Sequence, residues 1–279
     1  EHTLRLDATD PQAVEATFRT LRPDVVVNAA AFTDVDGAES DPQGAHRGNV
    51  EIPKNLAGAA ARYDAGLIHF STDYVFDGRG SRPYREDDPT GPLSVYGQTK
   101  LAGEQAILDS SAASIVLRCS WVYGLNGAGF VKAILEQAAN RDELEVVDDQ
   151  IGAPTSAAFL ARTAAGMVER LGPVREGRWR RFGGLFHLAG RGEVSRCGWA
   201  EEILAAGCRA GLLRGTRVAP IPSSRRPTPA RRPLNSRLDV SKFTAVWGVS
   251  PPFWDADLRA QLPQILAAVA DGSSVVGAK

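Results

Sequence analysis

The sequence predicts an α/β fold: a doubly wound parallel sheet followed by a smaller C-terminal domain. Three observations predict it. Short apolar runs at residues 24–28, 66–70 and 114–119 alternate with longer amphipathic segments. The continuous β-branched run at 24–28 marks a strand covered on both faces, and strand–helix–strand alternation at this spacing makes right-handed parallel crossovers. After about Asn126 this rhythm breaks. Finally, 43% hydrophobic and 23% charged residues leave enough to bury and enough to solvate for an ordinary soluble protein of 279 residues.

Residues 4–7 read as a short strand. Asp10 is then an N-cap, with Pro11 at the first helical position. Val14, Phe18 and Leu21 follow at i, i+4 and i+7, one helical face, and Pro23 closes the helix. Residues 24–28 form a strand, 50–62 a helix, 66–70 a strand that ends in the turn formers Ser71, Thr72 and Asp73, 94–108 a helix and 114–119 a further strand. Beyond that, residues 130–137 read as a helix. Residues 144–147 and 185–188 read as strands that either return to the first sheet or start a smaller one. Residues 220–233, rich in Pro, Ser and Arg, read as an ordered loop. Residues 241–269 are helical in pattern, interrupted by Pro251 and Pro252. The expected division is a first domain at 1–125 and a second at 126–279, with segments near 144–165 and 185–190 able to return to the first. No internal repeat is visible.

A formal net charge of −1 argues against a general nucleic-acid binder. The basic runs at 178–181 and 225–232 read as solvated loops. Three cysteines, Cys119, Cys197 and Cys208, form no C-x-x-C pair, which argues against a disulfide framework or zinc site and fits a reducing, cytoplasmic setting. His2, His46, His69 and His187 show no ligand spacing, so they read as structural and no metal site is expected. No apolar run approaches the roughly 18 residues of a membrane span. No signal peptide is visible, although the first residue is Glu1 rather than a methionine.

Chemistry enters at Tyr96-Gly-Gln-Thr-Lys100, where a phenol and an ammonium four apart share one helical face. A free phenol, with a pKa near 10, is a poor acid at neutral pH. A neighbouring ammonium favours the phenolate and lowers that value, towards the range where a general acid works well. Alone, the pair reads more readily as a surface pair of the kind that decorates many helices. Ser71-Thr72-Asp73 directly follows an apolar strand, and ligands in open α/β sheets bind outside the carboxyl ends of strands. The Thr72 hydroxyl would there orient a carbonyl, where otherwise Thr72 is a turn residue. Asn28-Ala29-Ala30-Ala31 ends another strand, and its small side chains would let a flat ring or ribose reach the backbone, or serve close helix–sheet packing. Together the three elements read as a nicotinamide-dependent carbonyl reductase core.

The chain resembles the extended short-chain dehydrogenase/reductase superfamily and, within it, the dTDP-4-dehydrorhamnose reductase family. The resemblance rests on Val27-Asn-Ala-Ala-Ala31, Asp36 and Ala38-Glu-Ser40. It continues in Ser71-Thr-Asp-Tyr-Val-Phe-Asp-Gly78, Tyr96-Gly-Gln-Thr-Lys-Leu-Ala-Gly-Glu104 and Arg118-Cys-Ser-Trp-Val-Tyr123. Asp149-Gln-Ile-Gly-Ala-Pro-Thr155, Phe186-His-Leu-Ala-Gly190 and Arg232-Pro-Leu-Asn-Ser-Arg-Leu-Asp239 complete it, in family order along nearly the whole chain. It implies a Rossmann-like first domain and a C-terminal substrate-binding domain. It implies reduction of the 4-keto group of dTDP-6-deoxy-L-lyxo-4-hexulose to dTDP-L-rhamnose by NADPH or NADH. Tyr96 would be the proton donor. Lys100 would grip the nicotinamide ribose and depress the phenol. Thr72 would hold the reacting sugar, with Asp73 beside it and Trp121 a further substrate contact. Ala31, Phe32 and Thr33 would line the cofactor, Phe70 would border it, and Asp7 would lie near the adenine. A homodimer, with magnesium at its interface, is possible by resemblance only.

The family's opening Gly-x-x-Gly-x-x-Gly turn, which seats the cofactor pyrophosphate on a helix N-terminus, has no counterpart in these residues. Residues 4–7 match the family's third strand, so a strand–helix–strand unit of about 30 residues is expected to be absent. The fold is in that sense expected to be N-terminally truncated, with an open sheet edge and weak cofactor binding by this chain. Two other readings stay open: a reductase of another nucleotide-linked keto sugar, and a non-catalytic regulatory or binding relative.

Overall fold

The computed structural model describes residues 3–110, 112–127, 129–174 and 177–270. His2 lies outside them.

Helix α1 (Pro11–Leu21) starts as its sequence dictates. The Asp10 carboxylate accepts the Gln12 N–H at 2.8 Å, and Pro11 occupies the first turn, where its missing N–H has no cost. Val14 and Phe18 are buried, but Leu21 is exposed, because the chain turns away through Arg22 in a left-handed conformation. Strand β1 (Val25–Asn28) follows. Short helices Gly37–Ser40 and Pro42–His46 and a π-helical turn Arg47–Glu51 lead into α2 (Ile52–Tyr63). Then come β2 (Gly66–Thr72), α3 (Val95–Leu108), β3 (Ala113–Cys119), α4 (Phe130–Ala138), β4 (Glu143–Val147) and α5 (Ala157–Leu171). The last elements are β5 (Gly184–His187), α6 (Arg196–Arg209), β6 (Arg217–Ile221), α7 (Ser241–Trp247) and α8 (Trp254–Ala270).

Strands β1, β2, β3 and β5 form one parallel sheet in that order, with Val25 opposite Gly66, Gly66 opposite Ala113 and Ile115 opposite Gly184. Both faces of β2 and β3 are covered, in keeping with their apolar runs, but β1, predicted from sequence to be covered on both faces, lies at the sheet edge and leaves Val27 exposed. Leu67 and Val116 face Val14, Phe18, Leu56 and Ile107. Their neighbours Ile68, Ile115 and Leu117 face Phe159, Met167, Phe243 and Trp247. Parallel register sets Asn28 beside His69 and, further along β2, Thr72 beside Cys119, towards the carboxyl end of the sheet.

Strands β4 and β6 form a second, two-stranded parallel sheet. With α4, α6 and α8 they enclose a separate core around Trp199, Ile203, Leu135, Leu144 and Leu258. Short pairings join the two regions: Val122–Tyr123 with Thr155–Ser156, and Ile151–Gly152 with Val194–Ser195. Residues 144–147 thus start a smaller sheet, while 185–187 return to the first.

Two further expectations fail here. Residues 4–7 form no strand, because β1 pairs only with β2 and no strand among the described residues lies beside them to complete a ladder. Asp7 instead builds a turn, its carboxylate accepting the Thr9 N–H at 3.0 Å and hydroxyl at 2.7 Å. Residues 220 and 221, read as loop, finish strand β6. Pro220 is tolerated there because β6 pairs on one edge alone.

Candidate active site

Helix α3 carries three polar side chains along one stripe, Tyr96, Lys100 and Glu104, at i, i+4 and i+8. Its start is capped by Ser94, whose Oγ accepts the Gly97 N–H at 3.2 Å. Gly97 is required: a Cβ there would sit 2.3 Å from the Tyr74 carbonyl oxygen. This close approach sets Tyr96 edge-on to Tyr74, ring centroids 5.5 Å apart at 81°. One turn on, Lys100 Nζ donates to the Phe70 carbonyl at 2.6 Å and lies 3.3 Å from His69 Nε2. A further turn on, buried Glu104 takes the Ser71 hydroxyl and a forked ion pair from Arg118 (2.7–3.1 Å). The whole stripe is therefore clamped to the carboxyl end of β2.

Thr72 ends that strand. Its hydroxyl accepts the Tyr74 N–H at 3.2 Å and lies 3.3 Å from Asp73 Oδ1. Asp73 is buried, its Oδ2 has no hydrogen-bond partner, and burial raises its carboxyl to about 6 against the pull of Ser236. Burial also raises the Tyr96 phenol above its ordinary value, while the Thr72 hydroxyl lowers it and Asp73 raises it further. Lys100 is itself lowered to about 8, by burial first, with Glu104 and Cys119 opposing. The sequence predicts that the neighbouring ammonium governs the phenol; in the structure burial outweighs every other influence on it.

Ala31, Thr33, Phe70, Thr72, Asp73, Tyr96, Lys100 and Trp121 line one cleft of about 630 Å³. Phe32 and Asp7 are not among its lining residues. The Phe32 backbone is held instead by Asn49, which accepts its N–H at 2.9 Å and donates to its carbonyl at 3.1 Å. Asp7 is exposed in its turn with Thr9. Sequence reasoning missed Tyr74 and Arg196, which also line the cleft. Arg196 opens α6 just after the N-cap Ser195, and only that capping signal is local. Trp121, at φ +47°, stacks on Trp199 at 5.6 Å and on the Arg196 guanidinium. Gly152 makes room for it, since a Cβ there would lie 2.5 Å from the indole. An adjoining cleft of about 600 Å³ shares Thr33, Tyr74, Trp121 and Arg196, and adds Gln150, Arg226 and Arg232. Among the described residues, no group of three His, Cys, Asp or Glu could hold a metal ion, and no helix is long and apolar enough to cross a membrane.

Comparison with known proteins places this geometry. The profile of the family described as RmlD substrate binding domain matches residues 2–267. The dTDP-4-dehydrorhamnose reductase of Escherichia coli K12 is 40% identical over 265 residues, covering 95% of this chain and 87% of the relative. The chain belongs to the dTDP-4-dehydrorhamnose reductase family. The family member from Mycobacterium tuberculosis is 42% identical over 275 residues, 96% of this chain and 84% of its own length. In three dimensions, the family member from Clostridium acetobutylicum superposes with a TM-score of 0.83 at 34% identity, covering 92% of this chain and 86% of that one. The Bacillus anthracis family member, solved in complex with NADP, superposes with a TM-score of 0.84 at 28% identity over 93% and 87%. The Rossmann-like α/β reading thus holds, and the family is one of oxidoreductases.

Proposed function

We propose that this chain reduces the 4-keto group of a dTDP-linked 6-deoxyhexulose with NADPH or NADH, yielding dTDP-L-rhamnose. The observation that carries this reading is that Thr72, Tyr96 and Lys100, from a strand end and two turns of one helix, open onto a single cleft. Lys100 and the small Ala29 and Ala31 on that cleft fit the nicotinamide–ribose end of a dinucleotide. When bound, the nicotinamide supplies a hydride to C4. The Thr72 hydroxyl holds the C4 oxygen. Tyr96, kept protonated by its burial, donates its phenolic proton to that oxygen as negative charge develops on it. Lys100 holds the ribose and, when charged, stabilises the phenolate left behind. Trp121 offers the sugar a flat wall. Arg196 and Arg232 put positive charge along the adjoining cleft, where a diphosphate would lie. Phe32 and Thr33 keep their assignment along the cofactor and Asp7 its assignment near the adenine, and the residues beyond 126 that line the adjoining cleft serve the sugar nucleotide.

The test is NADPH oxidation with excess cofactor and a dTDP-4-keto-6-deoxy sugar, followed by the absorbance of the reduced nicotinamide. Tyr96→Phe is expected to lower turnover by about 10²–10⁴-fold while leaving cofactor binding intact. Full turnover in that variant removes Tyr96 from the donor role.

A further inference from the structure

Behind Lys100 runs a chain of buried polar side chains that the proposed reaction leaves unused. Asn28, at the end of β1, and His69, in β2, are 4% and 1% exposed. Asn28 Oδ1 accepts the Ala30 N–H at 3.1 Å, which turns Nδ2 toward His69 Nδ1 at 2.9 Å. An amide nitrogen only donates, so Nδ1 accepts, and a neutral imidazole then carries its proton on Nε2. That nitrogen faces Lys100 Nζ at 3.3 Å.

An ammonium has three donors and no acceptor. Facing Nε2–H, it sets one donor against another in a buried place. The neutral amine has a lone pair: it accepts from Nε2–H and still donates to the Phe70 carbonyl at 2.6 Å. The other imidazole tautomer would suit the ammonium, but it needs Asn28 to turn Oδ1 toward His69, leaving Nδ2 against the Ala30 N–H. In both arrangements the charged lysine costs one unmade hydrogen bond.

We propose that Asn28 and His69 are positioning residues that fix the Nε2–H tautomer of His69 and so set how much of Lys100 is ammonium near neutral pH. This rests on the reading of Lys100 as part of the reductase site. Other groups facing Lys100 are Glu104 on its own helix and Cys119 on β3, both favouring the ammonium, and Tyr96, which shares its cleft. Burial acts against the charge, as it does at His69, held neutral by burial first and Lys100 second.

The chain contains four histidines and five lysines, few enough to resolve by nuclear magnetic resonance. In the ¹⁵N-histidine spectrum of the unmodified chain, the resonance lost in His69→Gln is expected to show the Nε2–H tautomer; the Nδ1–H tautomer overturns the proposal. With ¹³C-labelled lysine, Lys100 is assigned by Lys100→Arg and titrated. His69→Gln offers Lys100 an amide oxygen, and its midpoint is expected to rise by about one pH unit, a tenfold change in the equilibrium. Asn28→Asp is expected to move the imidazole proton to Nδ1 and raise the midpoint likewise. An unmoved midpoint in the variants that fold overturns the proposal; should His69→Gln not fold, the native tautomer and Asn28→Asp decide. The reductase reading fails separately, through full turnover in Tyr96→Phe, an outcome that says nothing about the tautomer of His69 or the Lys100 midpoint in the His69 and Asn28 variants.

Discussion

The guanidinium of Arg196 lies 3.7 Å from the centre of the Trp121 ring. Trp121 holds a left-handed backbone, costly for a bulky residue, and packs against both Trp199 and this cation, which also lies 5.5 Å from the centre of the Trp199 ring. Burial lowers Arg196 to about 10, opposed by Tyr74 and Asp73, so it stays charged at the mouth of both clefts. A half-buried cation that makes no ion pair with a carboxylate among the described residues suits an anionic ligand. Arg196→Ala is expected to weaken binding of the dTDP-sugar by about 10–100-fold, the worth of one charged hydrogen bond, with a smaller effect on kcat. The KM-against-kcat split checks it.

Asp73 makes stability depend on pH in an unusual direction. Its folded carboxyl is raised to about 6 from an ordinary 3.8. Between those values the folded state binds more proton than the unfolded one, so this group's contribution falls as pH rises from about 4 to 6, by up to roughly 3 kcal/mol. Asp73→Asn removes the titration and is expected to be more stable than the unmodified chain at pH 8, with the difference vanishing near pH 4. The same change should reduce turnover, because the carboxylate faces the reacting cleft. Thermal melts of both proteins across pH 4–8 read the first effect, and an equal difference at all pH values contradicts it.

Gly97 should break the usual helix rule. Alanine in place of a helix-interior glycine ordinarily stabilises by about 1 kcal/mol. Here the added Cβ would meet the Tyr74 carbonyl at 2.3 Å, so α3 must lift off the β2 turn. Gly97→Ala is expected to destabilise by about 1–3 kcal/mol. It should also lower kcat by about 100-fold, since Tyr96, the neighbouring residue, moves with the helix. A stabilised, fully active variant would show that α3 can shift freely.

What could be read from sequence follows from what is local. Asp10 and Pro11 start α1 because a cap acts within one turn, and Tyr96 and Lys100 share a face because helical spacing puts them there. The strand ends carrying Thr72 and Asn28 were legible for the same reason: an unbroken apolar run followed by a turn. Residues 4–7 looked like a strand, yet a strand exists only with a partner, and partnership is not a local property. Arg196 lies exactly one hundred residues after Tyr96 in the chain, with no spacing rule joining them, so its arrival in the cleft is a consequence of packing around Trp199. Asn28 was read for its small neighbours, while its side chain acts through His69, a residue of another strand.

Glu104 supports the site from behind, and its removal should be felt in stability before chemistry. It holds both Ser71 and the Arg118 guanidinium in a buried place, and Arg118 Nη1 already lacks a partner. Glu104→Gln would leave the buried arginine charge uncompensated, a loss of about 3–5 kcal/mol, or roughly 10 °C in Tm for a chain of this size. Replacing both partners, as Glu104→Gln with Arg118→Met, removes the orphaned charge and should recover part of that loss. Glu104 also favours the ammonium of Lys100, so in the single variant the lysine should lose its proton at lower pH. A single variant that melts with the unmodified chain would show that the arginine finds compensation elsewhere, and the double variant would then be the less stable of the two.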